Sequence, residues 1–341
     1  MRIALDAHGG DMAPVATIGG AISALHNAPW DIPPRLEIAL FGDPKILEEH
    51  LPSTLPNGLT VVPCCSAPGE NRFFGDKDDP ASDSPIRRAL QQHAEGSFDA
   101  VVSAGSTRAQ VVASIGELGK CQGITRPAIG SLLPTAKGSC LLIDVGASLV
   151  ASPHHLVQFA AMGQVYVHEL LGIKEPTIGL LNVGTESHSG GPVPQEAHEL
   201  LEASGLNFYG FVEGRDLPVG TTDIVVTNGF AGNVLLKYIE GLPQAVQGLL
   251  PGDNSILIET LRRRFDFELF GGEPLLGVRG VSIICHGASS KRAIASAINK
   301  ATKIAQIKLW EKIEALVAEQ FPTYYTRFKY LRSFQRTHRS N

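Results

Sequence analysis

Residues 221–237 read Thr-Thr-Asp-Ile-Val-Val-Thr-Asn-Gly-Phe-Ala-Gly-Asn-Val-Leu-Leu-Lys, and the change of period inside them decides the fold class. Ile224-Val225-Val226 is a short β-branched run of the kind buried on both faces of a parallel strand, whereas Val234, Leu235 and Tyr238 recur at helical spacing. Asn228, Gly229, Gly232 and Asn233 lie at the change. A helix opening near Ala231 would point unpaired N–H groups and a partial positive end back at the turn, where an anion would fit. An ordinary βα loop with an Asn cap is the competing reading of the same residues.

The pattern repeats outward from this stretch. Residues 2–6 are a predicted strand running into Asp6-Ala7-His8-Gly9-Gly10-Asp11-Met12-Ala13-Pro14, either a site loop or a tight turn whose Asp11 caps a helix carrying Ile18, Ile22 and Leu25. Strands at 36–41 and 59–63 flank a helix at 44–51, giving the β-α-β alternation of a mostly parallel α/β sheet. The Gly/Pro-rich, acidic segment 66–85 reads as a surface excursion. Residues 98–102 run into Ser103-Ala104-Gly105-Ser106-Thr107-Arg108 and a helix through Val111, Val112 and Ile115. Amide, hydroxyl and guanidinium donors at a helix start make an oxyanion or phosphate cradle, and a plain Ser106 or Thr107 cap is the alternative. Strands at 128–133 and 140–145 follow, the second ending in Asp144-Val145-Gly146-Ala147-Ser148. The helix 155–171 carries Ala160, Ala161 and Gly163, small residues that permit close packing internally or across a dimer. The His154-His155 pair reads as a helix start rather than a metal site, since no further ligand has the spacing.

Later strands end in Asn182-Val183-Gly184-Thr185-Glu186, in Glu213-Gly214-Arg215-Asp216 and in His286-Gly287-Ala288-Ser289-Ser290, the last leading into a helix through Ile294, Ile298, Ile304, Ile307, Ile313 and Leu316. The C-terminal ends of parallel strands share one edge of a sheet, so these loops are expected to converge there. Segment 255–277 interleaves apolar residues with Arg262, Arg263 and Arg264, which suits a membrane surface or an acidic partner as well as a solvated helix face.

Composition narrows the function classes. The 341 residues, 43% hydrophobic, are enough for one large α/β domain or two joined halves. Residues 323–341 hold Arg327, Lys329, Arg332, Arg336 and Arg339 and no acid, so removing those five cations from the net −5 leaves −10 on the body. An acidic body argues against nucleic acid as the main partner. Five cysteines without a Cys-x-x-Cys pair suggest neither a disulfide framework nor a zinc site, and a reducing cytoplasm is the expected compartment. No apolar run approaches the ~20 residues of a membrane span, and no loop follows the dinucleotide or P-loop glycine patterns. No cofactor is called for.

Taken in order, Gly-Gly-Asp-x-Ala-Pro at 9–14, Ser-Ala-Gly-Ser-Thr at 103–107, Asp-Val-Gly-Ala at 144–147, Asn-Val-Gly-Thr-Glu at 182–186, Asn-Gly-Phe-Ala-Gly-Asn-Val at 228–234 and His-Gly-Ala-Ser at 286–289 closely resemble the PlsX phosphate acyltransferases of bacterial phospholipid synthesis. The resemblance covers nearly the whole chain to about residue 300. It implies a three-layer α/β/α fold similar to phosphotransacetylases and isopropylmalate dehydrogenases, in one domain over 1–322 with a protruding helical segment near 242–276 and a basic, aromatic tail at 323–341. It implies transfer of a fatty acyl group from acyl carrier protein to inorganic phosphate by a cytoplasmic homodimer at the inner face of the membrane, upstream of a membrane glycerol-phosphate acyltransferase. The chain departs from the family pattern at Asn228 (Asp in the family), Ser106 and Ser148 (Asn), Arg108 (Gly) and Val150 (Asp), and it lacks the two lysines expected near Pro80-Ala-Ser-Asp-Ser-Pro-Ile.

On this basis the expected catalytic set is Asn228, Asn233, Lys237 and His286, steadying a tetrahedral oxyanion. The expected substrate-binding set is Asp6, Gly9, Gly10, Asp11, Ser103, Gly105, Ser106, Thr107, Arg108, Asp144, Asn182, Thr185, Asp216 and Gly229. Ser103, Ser106 and Thr107 are the expected phosphate holders, and Arg262, Arg263 and Arg264 the expected contacts to carrier or lipid. Two other readings are a phosphotransacetylase-like enzyme acting on short acyl-CoA and a non-catalytic scaffold of lipid synthesis.

Overall fold

Alternation along single strands sorts the core into two layers. In β1 (Arg2–Asp6), Ile3 and Leu5 join one apolar cluster while Ala4 joins the other. The first cluster receives the buried faces of α1 (Val15–Asn27), α5 (Pro153–Leu171), α6 (Pro192–Glu202) and α8 (Lys291–Gln306); the second receives α3 (Pro85–Ala94), α4 (Thr107–Leu118) and α7 (Gly229–Leu249). The result is a three-layer α/β/α arrangement, seen in a computed structural model that describes residues 1–27, 35–65, 83–186, 188–249, 264 and 271–319.

The sheet has eleven strands among the described residues. β1 is joined by β2 (Glu37–Gly42), β3 (Leu59–Pro63), β4 (Ala100–Ser103), β5 (Ala128–Thr135), β6 (Gly138–Ile143), β7 (Ile178–Leu181), β8 (Phe208–Val212), β9 (Ile224–Val226), β10 (Glu273–Leu276) and β11 (Ser282–Ile284), in the order β3-β2-β1-β4-β11-β10-β5-β6-β9-β7-β8. β3 through β11 on one side are mutually parallel, as are β6 through β8 on the other. Three antiparallel pairings, β11 with β10, β10 with β5 and β5 with β6, lie between them.

Those three reversals correct the expectation of one shared edge. An odd number of antiparallel steps turns the second half-sheet end for end, so its strands run against those of the first. The loops still meet, because the halves are staggered. Ile283 pairs with Pro274, Leu275 with Ile129 and Gly130 with Ile143, which puts the last residues of β11 and β6 at one level with only β10 and β5 between them. Three interstrand spacings separate them by roughly 14 Å.

Other expectations resolve locally. The small residues of α5 pack inward, a Cβ on Gly163 meeting Ile224 Cγ2 at 3.1 Å and Leu141 Cδ2 at 3.3 Å, so they serve the core. His155 forms a capping box with Ser152 at the start of the same helix. The single helix expected through Leu316 is broken at Ile307 and Lys308, where Lys308 takes a positive φ of 49°, and a second helix, α9, covers 309–319. The helical segment expected near 242–276 is α7 as far as Leu249, but Glu273–Leu276 is instead strand β10, buried at the centre of the sheet where its apolar side chains are covered on both faces. Most of that segment, including Arg262 and Arg263, lies outside the described residues, as does the tail 323–341.

Candidate active site

Two loop clusters, one from each half-sheet, face each other across the stagger. In the first, the buried Asp6 carboxylate at the end of β1 accepts from the Ser103 hydroxyl (2.7 Å) and the His8 amide (3.1 Å), and Ser103 Oγ in turn accepts from the Gly105 amide (3.0 Å). Burial raises the Asp6 pKa against those stabilising bonds. Gly9 is needed here, since a Cβ would sit 2.7 Å from the Gly105 nitrogen and 2.8 Å from Asp6 Oδ2. Gly10 and Asp11 lie against Gly287, the Asp11 amide donating to its carbonyl at 2.7 Å. Ser103 is thus a buried linker, with both its donor and its acceptor engaged. Ser106 is the N-cap of α4, accepting from the Ala109 amide, while Thr107 and Arg108 stand exposed at the helix start.

The second cluster is built around Asp144, which has no solvent exposure. Its Oδ1 accepts from the amides of Ile129, Gly146 and Ala147 and its Oδ2 from that of Ser148, at 2.7–3.0 Å. Desolvation nevertheless raises its pKa, with those four bonds acting in the opposite direction. The carboxylate therefore uses up the loop donors that a bound anion would need. The helix start that follows β9 is also largely satisfied: the Gly229 amide donates to Ser148 O (2.8 Å) and the Ala231 amide to Asn228 Oδ1 (2.9 Å). The expectation of several unpaired donors aimed at this turn is thereby corrected, because the capping side chain and the neighbouring loop take them. Asn228 is a helix cap. Gly232 is required by close approach, since any Cβ there would overlap the Asp144 carbonyl.

Between the clusters lies a pocket of about 850 Å³. Of the expected residues it is lined by Thr107, Arg108, Asn233, Lys237 and His286. Asn233 and Lys237 are one turn apart on α7, with Asn233 Oδ1 beside Gly146 and Lys237 Nζ bonded to Glu240 Oε2 at 2.8 Å. His286 Nδ1 accepts from the Ala288 amide (3.2 Å), which leaves Nε2–H as a donor. Asp6, Gly9, Gly10, Asp11, Ser103, Gly105, Ser106, Asp144, Asn228 and Gly229 shape or support the two clusters behind this lining. Three residues are not brought to it: Asn182 donates to Gly184 O and Ser189 O within its own loop, Thr185 is exposed on that loop, and Asp216 accepts from the Glu213 amide in the turn Gly214–Asp216. Arg264 is exposed and donates to Thr135 O at 3.4 Å, away from the lining.

The pocket also contains polar groups that sequence reading did not single out. Arg126, in the loop before β5, donates from Nε to Ser148 Oγ at 2.7 Å. Glu273 and Lys300 meet on the floor; Lys300 Nζ donates to Gly272 O at 2.7 Å, and burial pushes the Glu273 carboxyl up to about 7 and the Lys300 ammonium down to about 8. Arg126 falls in no motif, and Lys300 reads in sequence as one more cation on an amphipathic helix. Cys285 is in the wall too, but burial holds its thiol up at about 12, so at neutral pH it is no thiolate nucleophile. With Arg108, Arg126, Lys237 and Lys300 against Glu240 and Glu273, the lining is net cationic and suits an anionic reactant.

A model of a family described as fatty acid synthesis protein matches residues 1–312. The phosphate acyltransferase of Desulforamulus reducens is 40% identical over 324 residues, covering 90% of this chain and 94% of the relative, and that of Brevibacillus brevis is 37% identical over 334 residues, covering 92% and 96%. Among solved structures, a phosphotransacetylase from Streptococcus pyogenes superposes with a TM-score of 0.61 at 15% identity (90% of this chain, 94% of that one), and a branched-chain phosphotransacylase from Enterococcus faecalis with 0.56 at 14% (90% and 99%). At those identities the structural likeness speaks for the fold.

Proposed function

The chain belongs to the fatty acid synthesis protein family and is a phosphate acyltransferase, and from that premise we propose that it moves a long-chain fatty acyl group from acyl carrier protein to inorganic phosphate, giving acyl phosphate for phospholipid synthesis. The observation that carries this reading is the cationic pocket between two loop clusters, wide enough for phosphate and a thioester together.

The chemistry needs no covalent intermediate on the protein. Hydrogen phosphate attacks the thioester carbonyl, the C–S bond breaks, and the phosphate proton ends on the departing thiol, whose pKa of ~8.5 makes it a tolerable leaving group. The main demand is positioning, which can supply roughly 7–11 kcal/mol, with an oxyanion donor adding about 2.7–4 kcal/mol. One helix terminus contributes only ~0.3–1 kcal/mol, so several donors must cooperate. Thr107 and Arg108 at the start of α4 hold phosphate in this reading, and the oxyanion is met by Asn233 or Lys237 from the opposite cluster or by the His286 Nε2–H from the same one. Ser103 and Asn228, expected in these roles from sequence, act from behind by fixing the loops.

Incubation with palmitoyl carrier protein and phosphate should yield acyl phosphate. Asn233→Ala and Arg108→Ala should each lower kcat/KM by 10-fold or more, with Arg108→Ala also raising the KM for phosphate; wild-type rates in both would reject this site. The fold likeness to phosphotransacetylases keeps short acyl-CoA as a second donor class, separated by comparing rates on the two thioesters. The reading includes a cytoplasmic homodimer associated peripherally with the membrane and supplying a membrane glycerol-phosphate acyltransferase. Among the described residues no helix is long and apolar enough to cross a membrane. Light scattering and vesicle flotation test the assembly and the association.

A further inference from the structure

Buried apolar side chains, Val111, Ile129, Val145, Leu236 and Ile284, line the walls of the pocket, and charge closes its floor. Its floor, where β10 begins, carries Glu273, with Ser131 as a hydrogen-bonding neighbour, and Lys300, held by Gly272 O. Lys300 and Leu132 also line a second groove of 330 Å³ between α5 and α8, so the Lys300 ammonium stands where the two cavities adjoin. An alkyl chain pushed through this floor would strip water from these charges and gain nothing from them in return. At the mouth the situation is reversed. Val112, Leu149 and Val150 line the same pocket and remain 46%, 67% and 79% exposed. Large apolar side chains left exposed at the edge of a polar site gain from apolar cover.

We propose that the tail of the acyl donor leaves the pocket over Val112, Leu149 and Val150, that the Glu273–Lys300 floor bars it from the groove between α5 and α8, and that these three rim residues set the preference for chain length. The inference rests on the acyl-to-phosphate reading and adds the path of the tail.

The test is kcat/KM for the full chain with donors from butanoyl to hexadecanoyl on one carrier, at saturating phosphate. For the wild type, kcat/KM should rise with each added methylene that reaches the rim. In Leu149→Ser/Val150→Ser the slope should flatten, so that hexadecanoyl transfer falls about tenfold more than butanoyl transfer. Val112→Thr should flatten it partially. All three residues are exposed, so these changes spare the core. Equal losses at every length would overturn the path. So would an unchanged slope in the rim variants together with improved long-chain transfer in Glu273→Gln/Lys300→Met, which would place the tail inside. Absence of acyl phosphate from the wild type with every donor would overturn the acyl-transfer reading itself, and the path with it.

Discussion

Asp144 is a buried anion enclosed by four backbone amides, the arrangement of a bound oxyanion reproduced by a side chain. Replacing it with Asn turns one acceptor into a donor facing donors. Each buried amide left unmet costs about 1–3 kcal/mol, so Asp144→Asn should lose roughly 2–4 kcal/mol in urea unfolding, with a parallel fall in activity as loop 145–148 and Gly229 shift. Glu273 gives a pH signature. Below about 4.5 its carboxyl is protonated both folded and unfolded; between 4.5 and about 7 the unfolded chain releases the proton while the folded chain keeps it, so stability falls as pH rises through that window. Lys300 works oppositely between about 8 and 10.5, where the unfolded chain keeps a proton that the folded chain has lost, so its cost is relieved as pH rises. Glu273→Gln should accordingly be more stable than wild type by about 1–2 kcal/mol at pH 7.5 and indistinguishable from it at pH 4.5, measured by denaturant midpoints. The cysteines are separated by burial: all five are free thiols, but Cys64, Cys121, Cys140 and Cys285 are buried and pushed up to about 12, leaving only Cys65 exposed. Ellman's reagent should therefore modify one thiol of the native protein and five after denaturation, and Cys65 should react slowly because the hydrogen bond to Asp83 raises its pKa.

At the scale of elements, α7 shows how a loop can have the grammar of an anion site and spend it on itself. Asn228 caps the helix through Oδ1, so Asn228→Ala should cost about 1 kcal/mol of stability while Asn228→Asp, which keeps the acceptor at a positive helix end, should not. Thermal or urea unfolding of the two variants distinguishes the cap from a contact made only with substrate. The strand and helix on either side of Asn228 were legible because a continuous β-branched run gives way to apolar residues at helical spacing within seventeen residues. β10 was not legible: Glu273-Pro274-Leu275-Leu276 is short, contains a proline, and becomes a strand only because β11 and β5 are there to pair with it. The helix α3 was missed for a related reason, its start following an acidic, proline-rich stretch that reads as loop. Arg108 and His286 could be read as site residues because they end strands in polar loops, whereas Arg126, Glu273 and Lys300 reach the same pocket from places where periodicity signals only a connector, a strand or a solvated helix face.

For the molecule as a whole, the antiparallel centre of the sheet does what a purely parallel sheet could not. In a single parallel sheet all βα loops project one way and a ligand rests on top of the edge; here two half-sheets run head to head, and their loops face a common pocket from both sides. Sequence reading reached convergence of the loops but not this route to it, since strand direction depends on pairings between segments more than a hundred residues apart, such as β4 with β11. In the proposed reading phosphate rests at the start of α4 and faces the first turns of α7 across the pocket. Bound to the folded chain alone, at 100 times its dissociation constant, it should add about 2.7 kcal/mol to global stability. Hydrogen exchange locates the effect more sharply. Saturating phosphate should slow exchange at the start of α4, around Thr107 and Arg108, and also in the first turns of α7, around Asn233 and Lys237, although the two helices rise from opposite half-sheets. Protection at α4 alone would mean that the acceptor is held by one cluster and that the second closes only on the thioester, and the same measurement with both substrates present would then extend the protection to α7.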